Sequence, residues 1–373
     1  MDALMLPLNW QRVRLGDVGK PCMCKRVMKH QTTRYGEIPF YKIGTFGNTA
    51  DAFISKKLFL EYKTKYSFPK KGDILISASG TIGRAVIYNG KPAYFQDSNI
   101  VWIDNDETLV KNDFLFYAYS NVKWNTEHTT ILRLYNDNFR NTLIPLPPLN
   151  EQIAIANILS DVDRYLYSLD ALILKKESVK KALSFELLSQ RKRLKGFNQA
   201  WQRVRLGDIA NYLTSNLSAE QITQQGKIKV YDVNNFIGYT NTTFISDKPY
   251  ISIVKDGSVG RVRILPPKTN ILSTMGALVA NHKTTTEFLF YLLSNFDFKN
   301  FTSGSIIPHI YFKDYKEKTI FLPPLNEQIA IANILSALDH EIISLKNKKR
   351  QFENIKKALN HDLMSAKIRV LKK

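Results

Sequence analysis

The chain has 373 residues, of which 44% are hydrophobic, which is enough for two modest domains with connecting elements. Its 53 Lys and Arg against 33 Asp and Glu give a formal net charge of +20. This charge favours nucleic acid as the binding partner, because each neutralised phosphate releases a counterion, over an anionic membrane or no charged partner. No apolar run approaches the roughly 20 residues of a membrane helix, the N-terminus lacks the basic segment of a signal peptide, and Cys22 and Cys24 are too close for a disulfide framework, so we expect a cytoplasmic protein without a membrane partner.

The chain contains an internal repeat. WQRVRLGD occurs at 10–17 and 201–208, and PPLNEQIAIANILS occurs at 147–160 and 323–336. The offset between the copies falls from 191 to 176, so the second copy is shorter by about 15 residues, which we place between roughly Ser55 and Gly80. The repeat predicts two heads, each followed by a long helix. The predicted bounds are 1–149 for the first head, 150–195 for its helix, 196–325 for the second head and 326–373 for its helix.

The interiors of the two heads differ, although their first residues and the openings of their helices are nearly identical. Two heads that bound one ligand would have little reason to diverge in the middle. We therefore expect them to bind different things on a shared frame. Drift after an old duplication is the alternative, but drift predicts differences everywhere.

Within each head, short strands are expected around a glycine-bounded turn. GDILISASGTIGRAVIY, at 72–88, reads as strand, turn and strand, and SGTIGR at 79–84 is echoed by DGSVGR at 256–261. A tight hairpin is the favoured interpretation of these turns. A DNA-contacting loop flanked by Arg84 and Arg261 remains open, because such turns can present backbone N–H groups to phosphate. NDFLFYAYSN and TEFLFYLLSN predict one short buried helix per head.

The segments after each Pro-Pro are predicted to be long helices, with Asn150 and Asn326 as N-caps and Gly196 as the first C-cap. Apolar residues step by four and three, which is the seam of a coiled coil. The seam residues are Leu159, Val162, Leu166, Leu169 and Ile173 in the first helix, and Leu335, Leu338, Ile342, Leu345 and Phe352 in the second. Lysines interrupt both rows. Connectivity favours antiparallel pairing within the chain over a homodimeric coiled coil. The basic run RKRLK at 191–195 is expected to be solvated.

No active site is evident in the sequence. It has no metal-ligand spacing, no nucleophile signature and no Asp/Asn-Pro-Pro-aromatic tetrad. Glu61 with Lys63 could end a nuclease Glu-x-Lys pair, but such triplets are common by chance. His309 could be catalytic, but a structural or DNA-facing role is favoured for it. We therefore predict a binding protein with no catalytic residue and no metal of its own.

The order head, helix, head, helix, together with LPPLNEQIAIANIL at 146–159 and 322–335, resembles the specificity (S) subunits of type I restriction–modification systems. The resemblance covers essentially the whole chain, although the second head is short. It implies an α+β fold, with two pseudo-repeated α/β target-recognition domains joined by two long helices in an antiparallel coiled coil. The implied partners are double-stranded DNA, two methyltransferase subunits and, in some complexes, two restriction subunits. The implied cofactors belong to those partners, with S-adenosylmethionine on the methyltransferase and ATP with Mg²⁺ on the restriction subunit.

Candidate DNA-binding residues are Arg, Lys, Asn, Ser, Thr, His and Tyr side chains on expected turns, since these read base edges or position phosphates. In the first head they are Arg34, Tyr35, Lys42, Ser79, Thr81, Arg84, Arg133, Tyr135 and Arg140. In the second head they are Lys229, Asn234, Asn235, Lys255, Ser258, Arg261, His309, Tyr311 and Lys313. The alternative functions at this stage are a stand-alone sequence-specific DNA-binding regulator and a DNA-cleaving enzyme.

Overall fold

The computed structural model describes residues 7–128, 132–304 and 306–370. The chain forms two compact units. Unit 1 comprises Met1–Leu169 and Lys348–Lys373, and unit 2 comprises Asp170–Asn347. Among the described residues, no helix combines the length and the apolar character that a membrane span requires.

Unit 1 is built from short strands and four short helices that precede the first long helix. The strands are β1 (Gln11–Arg14), β2 (Gly19–Met23), β3 (Ile38–Tyr41), β4 (Ala52–Ile54), β5 (Ile74–Ser77), β6 (Ala85–Ile87), β7 (Tyr94–Phe95), β8 (Ile100–Asn105), β9 (Glu127–His128), β10 (Leu132–Arg133) and β11 (Leu143–Leu146). The helices are α1 (Leu15–Val18), α2 (Lys56–Lys65), α3 (Asn112–Tyr119), α4 (Asn136–Asn141) and the long α5 (Leu149–Leu188), which continues into unit 2.

Unit 2 repeats this order of elements, with a 3-10 turn at Leu206–Asp208 in place of α1 and without a counterpart of α2. Its strands are β12 (Gln202–Arg205), β13 (Ala210–Thr214), β14 (Ile228–Tyr231), β15 (Phe236–Thr240), β16 (Tyr250–Val254), β17 (Val262–Leu265), β18 (Asn270–Ile271), β19 (Met275–Ala280), β20 (Thr302–Ser303), β21 (His309–Ile310) and β22 (Thr319–Leu322). Its helices are α6 (Thr286–Ser294), α7 (Phe312–Tyr315) and the long α8 (Leu325–Met364), which continues into unit 1.

The two heads share one sheet topology, which confirms the α+β fold. Unit 1 has sheets of order β2-β8-β5-β6 and β4-β3-β7, and unit 2 has sheets of order β13-β19-β16-β17 and β15-β14-β18. The β3–β7 and β14–β18 pairs are parallel, whereas the other pairs in these sheets are antiparallel. Both heads also pair their first and last strands, β1 with β11 and β12 with β22. The entry and exit of each head therefore lie side by side.

The smaller size of the second head reflects the missing surface helix and not a missing core strand. In unit 1, α2 fills the connection between β4 and β5, and it buries Phe59 while most of its other side chains are exposed. In unit 2, β15 ends at Thr240 and β16 already begins at Tyr250. Both sheets of the trimmed head are complete because the shortening falls in a surface connection.

The long helices α5 and α8 each have 40 residues, and their ends differ from the expected ones. A residue in the left-handed conformation follows the end of each helix, Gln190 (φ +63°) after α5 and Ala366 (φ +58°) after α8. The helix α5 therefore ends before Gly196, which was expected to be its cap. Asn150 is not the N-cap, because the N–H groups of Glu151 and Gln152 already bond to the carbonyl of Pro148, at 2.9 and 3.0 Å. Asn150 thus lies inside the first turn.

Within each unit, the two helix segments run antiparallel, which confirms the expected pairing. In unit 1, Asp163 pairs with Lys356 at 2.5 Å, and Tyr165 contacts Phe352 with ring centroids 4.6 Å apart. Residue numbers therefore rise along one helix as they fall along the other. In unit 2, Lys176 pairs with Glu341 at 2.8 Å, and Lys180 pairs with Asp339.

All ten expected seam residues are at least partly withdrawn from solvent. The buried ones are Leu159, Leu169, Ile173, Leu335 and Ile342, and the half-buried ones are Val162, Leu166, Leu338, Leu345 and Phe352. This one-sided burial is what a heptad seam produces.

Lys356 and Lys180 interrupt the seam because each completes a polar cluster with the head. The Tyr117 hydroxyl of α3 donates to Asp163 at 2.8 Å, and the same carboxylate pairs with Lys356. Burial, reinforced by the nearby carboxylate, raises the pKa of Tyr117 above its ordinary value, so its hydroxyl stays a donor. The cluster joins the head to both helices, and a polar group in a coiled-coil seam specifies its register.

Unit 2 repeats this cluster. Tyr291 of α6 donates to Asp339 at 2.8 Å, and Asp339 pairs with Lys180. Burial, reinforced by Asp339, raises the pKa of Tyr291 in the same way. Each head is therefore held on the helices by one Lys–Asp–Tyr cluster.

Replacing Leu166 with Asp should weaken the helix pairing in unit 1 by about 1–3 kcal/mol, because a carboxylate would be half-buried against apolar side chains. The matched control is Tyr167→Asp, since Tyr167 is 77% exposed on the same turn and should change stability by less than about 0.5 kcal/mol. Hydrogen exchange of peptides from 149–169, compared with peptides from 38–105, measures helix pairing and head folding separately. Equal effects of the two substitutions would contradict the seam assignment.

Candidate nucleic-acid interface

The glycine-bounded turns are the tips of the β5–β6 and β16–β17 hairpins. The second glycine of each turn packs against an aromatic ring. A Cβ on Gly83 would lie 2.2 Å from Trp124 Nε1, and a Cβ on Gly260 would lie 2.6 Å from a ring carbon of Phe298. Both glycines have positive φ, of +83° and +79°. Hairpin geometry and this close approach thus require glycine at both positions.

The first glycine of each turn faces open space. Gly80 and Gly257 have positive φ, and a Cβ on either would meet nothing within 4 Å. Their neighbours Thr81 and Ser258 are exposed. The tip of each hairpin therefore presents its polar side chains outward, as a nucleic-acid contact requires.

In unit 1, the turn lies beside β10. An isolated bridge joins Ser79 to Arg133, and the N–H of Leu134 donates to the carbonyl of Ala78 at 2.9 Å. Ser79 is buried and its hydroxyl donates to Asn99 Oδ1 at 2.7 Å, so it is engaged within the protein. The exposed candidates Thr81, Arg133 and Tyr135 are brought to this side of the head.

In unit 2, the same contact is made by different residues. An isolated bridge joins Asp256 to His309, and the N–H of Ile310 donates to the carbonyl of Lys255 at 2.9 Å. His309 Nδ1 lies 2.7 Å from Asp256 Oδ1. The His309 ring stacks on Tyr311 with centroids 6.5 Å apart, and Lys313 Nζ lies 5.5 Å from the centre of the Tyr311 ring. The side chains of His309, Tyr311 and Lys313 thus form one group, which Lys255 joins through its backbone carbonyl.

The arginine after each turn anchors a second loop. Arg84 donates to the carbonyl of Phe46 at 2.9 Å, in the loop that follows β3, where Lys42 pairs with Asp51 at 2.9 Å. In unit 2, Arg261 donates to Asn234 Oδ1 at 2.8 Å, in the loop that follows β14. Both arginines thereby connect the turn to a neighbouring loop.

The remaining candidates lie apart from these contacts. Arg34 and the 87% exposed Tyr35 belong to the loop before β3, and Lys229 is exposed on β14. Asn235 neighbours Asn234, and its N–H bonds to Asp232 at 2.6 Å. Arg140, in contrast, packs against Gly16 of α1. A Cβ added to Gly16 would lie 3.2 Å from the Cβ of Arg140. Glu61, the possible nuclease carboxylate, forms an ion pair with Lys65 on α2 at 3.1 Å.

A buried carboxylate marks the junction of each head with its long helix. In unit 1, Glu151 accepts the indole N–H of Trp10 at 3.0 Å and hydrogen bonds from the Arg369 guanidinium at 2.7 and 3.1 Å. In unit 2, Glu327 accepts from Trp201 at 3.0 Å and from Arg193 at 2.6 and 3.1 Å. We call these the Trp–Glu–Arg clusters. Arg193 was expected to be solvated, but the left-handed residue that ends α5 turns it back onto Glu327.

The glutamine after each buried glutamate serves the same junction. Gln152 donates to the carbonyls of Leu109 and Pro147, at 3.0 and 2.9 Å, and accepts the N–H of Lys111 at 2.8 Å. Gln328 makes the corresponding bonds in unit 2. The letter-for-letter repeat of Trp, Glu and Gln therefore has a physical cause, because each holds one end of a head to a helix.

A sequence profile described as the type I restriction modification DNA specificity domain matches residues 7–176 and 198–354. The chain belongs to this family. It is 64% identical over 148 residues to S.HindORF215P of Haemophilus influenzae, assigned as a type I restriction enzyme specificity subunit; this match covers 39% of the chain and 38% of the relative. It is 31% identical over 336 residues to a protein assigned as the MjaX specificity subunit of Methanocaldococcus jannaschii, covering 80% and 79%. The crystal structure of the type I S subunit from M. genitalium aligns with a TM-score of 0.64 at 20% identity, covering 98% of the chain and 99% of that structure.

Three residues that hold the interface of this type I specificity-domain chain in place were not predicted from its sequence. Asp256 was overlooked although it holds His309, and Asn99 although it holds Ser79. Arg263, which donates to the Asn234 carbonyl at 2.8 Å, was overlooked as well. The only available signal was that Asp256 replaces the serine of SGTIGR in the second copy of the turn.

Proposed function

We propose that the chain is the DNA sequence-recognition subunit of a cytoplasmic type I restriction–modification complex. Each head reads one half of a bipartite, asymmetric target, and the helical pair sets the separation between the halves. The chain has no active site of its own. Adenine N6 methylation uses S-adenosylmethionine held by methyltransferase subunits, and any restriction subunits use ATP and Mg²⁺.

The observation that carries the proposal is one frame bearing two different sets of outward side chains. The hairpin, its glycine turn and the adjoining short strand recur in both units with the same bridge. On this frame, unit 1 exposes Thr81 and Arg133, whereas unit 2 exposes Ser258 and presents His309. A shared frame with unlike side chains is suited to reading two unlike half-sites, because base edges are distinguished by donors and acceptors. The net charge of +20 supplies the attraction to phosphate.

Two identical exposed patches support two copies of one partner. The side chains exposed in both copies are Leu149, Asn150, Ile153 and Asn157 at the start of α5, and Leu325, Asn326, Ile329 and Asn333 at the start of α8. We call these the helix-start patches. Packing inside the chain explains why buried repeat residues are identical, but it places no demand on exposed isoleucines. An external partner that binds both copies would require identical exposed residues, and two methyltransferase subunits would be such a partner.

The proposal is tested by co-expressing the chain with its cognate methyltransferase and mapping methylated adenines. The expected result is one bipartite motif with two unlike halves at a constant separation. A stand-alone regulator would instead bind DNA tightly and specifically without any methyltransferase. Methylation at a single continuous motif would also contradict the proposal.

Replacing Ile329 with Asp should remove one methyltransferase from the complex, because a charge would occupy the apolar centre of one helix-start patch. Ile153→Asp should do the same at the other patch, and the double variant should bind none. Native mass spectrometry counts the bound subunits. The matched control is Leu174→Asp, which is 64% exposed on α5 outside the patches and should retain two. Two subunits bound to the double variant would contradict the docking assignment.

A further inference from the structure

One position in the shared frame holds chemically opposite residue pairs. The bridge between Ser79 and Arg133 in unit 1 corresponds to the bridge between Asp256 and His309 in unit 2. In both units the next backbone hydrogen bond is 2.9 Å long, from Leu134 to Ala78 and from Ile310 to Lys255. The bridge and this hydrogen bond are therefore matched between the units, whereas the side chains at the bridge differ.

The unit 1 pair presents a hydrogen-bond donor. Arg133 is exposed on β10. A guanidinium can only donate, and it matches the two acceptors, O6 and N7, on the major-groove edge of guanine. Ser79 is buried on Asn99, so Arg133 carries the chemistry of this position.

The unit 2 pair presents an acceptor. Because a carboxylate can only accept, the 2.7 Å contact between His309 Nδ1 and Asp256 Oδ1 places the imidazole proton on Nδ1. In the neutral ring the lone pair is then on Nε2, which makes Nε2 an acceptor. An acceptor at this point matches the exocyclic amines of adenine N6 and cytosine N4, which are donors in the major groove.

We propose that Arg133 and His309 are specificity-determining residues of opposite character, and that Asp256 is the positioning residue which sets the character of His309. Arg133 selects guanine at one position of the first half-site. His309 selects an amine-bearing base, adenine or cytosine, at the corresponding position of the second half-site. This inference rests on the proposed function and adds the chemistry by which each head chooses a base.

The test uses the full chain assembled with its cognate methyltransferase, acting on a library in which both half-sites are randomised. Two variants are compared with the parent. Asp256→Asn supplies an amide that donates to Nδ1, which moves the imidazole proton to Nε2 and makes it a donor. Asp256→Ser with His309→Arg copies the unit 1 pair. Both are expected to shift one position of the second half-site from adenine or cytosine toward guanine or thymine by about tenfold or more, with the first half-site unchanged.

The reciprocal variant, Ser79→Asp with Arg133→His, is the matched control and should alter one position of the first half-site only. The parent complex is assayed first, because a parent without a bipartite motif refutes the proposed function itself. If the parent has such a motif and both unit 2 variants keep its base preference, the specificity assignment is wrong. The assignment is also refuted if a variant complex assembles like the parent but methylates no member of the library. Substitution of a specificity-determining residue should change the preferred base and not abolish methylation.

Discussion

Replacing Glu327 with Ala is expected to lower the free energy of unfolding of unit 2 by about 3–5 kcal/mol, because it leaves a guanidinium and an indole N–H without their partner. The Glu327 side chain is 1% exposed, and it accepts from both Arg193 and Trp201. Hydrogen exchange in urea of peptides from 198–347 measures the change, because unit 2 is followed there by itself. Glu177→Ala, which removes a half-exposed partner of Lys346, is the matched control and should cost less than about 1 kcal/mol.

The double variant Glu327→Ala with Arg193→Met should be more stable than Glu327→Ala alone, because it no longer leaves a partly buried charge unpaired. Arg193→Met would then raise the free energy of unfolding in the Glu327→Ala background, whereas simple loss of packing would lower it. Purely additive losses from the two substitutions would show that Arg193 contributes nothing through Glu327. The same pattern is expected in unit 1 for Glu151 with Arg369, since the Trp–Glu–Arg cluster is repeated there.

Replacing Leu159 with Asp is expected to destabilise unit 1 by at least about 4 kcal/mol, since it combines the loss of a buried aliphatic side chain with burial of a carboxylate. Leu159 is fully buried in the cluster that contains Phe114 of α3 and Ile155 of α5, so it belongs to the core of the head as well as to the helix seam. The expected loss is therefore larger than for the half-buried Leu166.

Thermal unfolding and hydrogen exchange of peptides from 100–159 provide the measurement for Leu159→Asp. The matched control is Ile158→Asp, the adjacent residue, which is 37% exposed and should lose far less. Leu335→Asp is the corresponding change in unit 2 and should have a similar effect there, because Leu335 is fully buried in the core of that unit. A Leu159→Asp chain that kept the parent's exchange rates in 100–128 would show that the head core does not depend on α5.

Much of the fold could be predicted from the sequence because its signals are local. The four-and-three spacing of apolar residues predicted α5 and α8, and the pair of glycines in each turn predicted the β5–β6 and β16–β17 hairpins. The ends of the helices were predicted less well. Gly196 was assigned as the cap of α5, whereas Gln190 takes the left-handed conformation, because the chain must turn early to bring Arg193 to Glu327.

The candidate interface was predicted only as residue types on turns. The sequence indicated that Arg133 and His309 could meet DNA, but it contained no sign that Asp256 contacts His309 across 53 positions. The direct DNA contacts of all the candidate residues stay predictions, because they depend on how DNA lies on each head.

By itself, the sequence determined the family, the repeated order of elements and the face of each helix that is buried, because all three follow from neighbours along the chain or from matching copies. The tertiary structure alone decided which residues meet. Glu151 finds Trp10 and Arg369 at separations of 141 and 218 residues, and Lys356 of α8 finds Asp163 of α5. Such pairs form because folding places their side chains within hydrogen-bond distance, and spacing along a flexible chain carries no information about that distance.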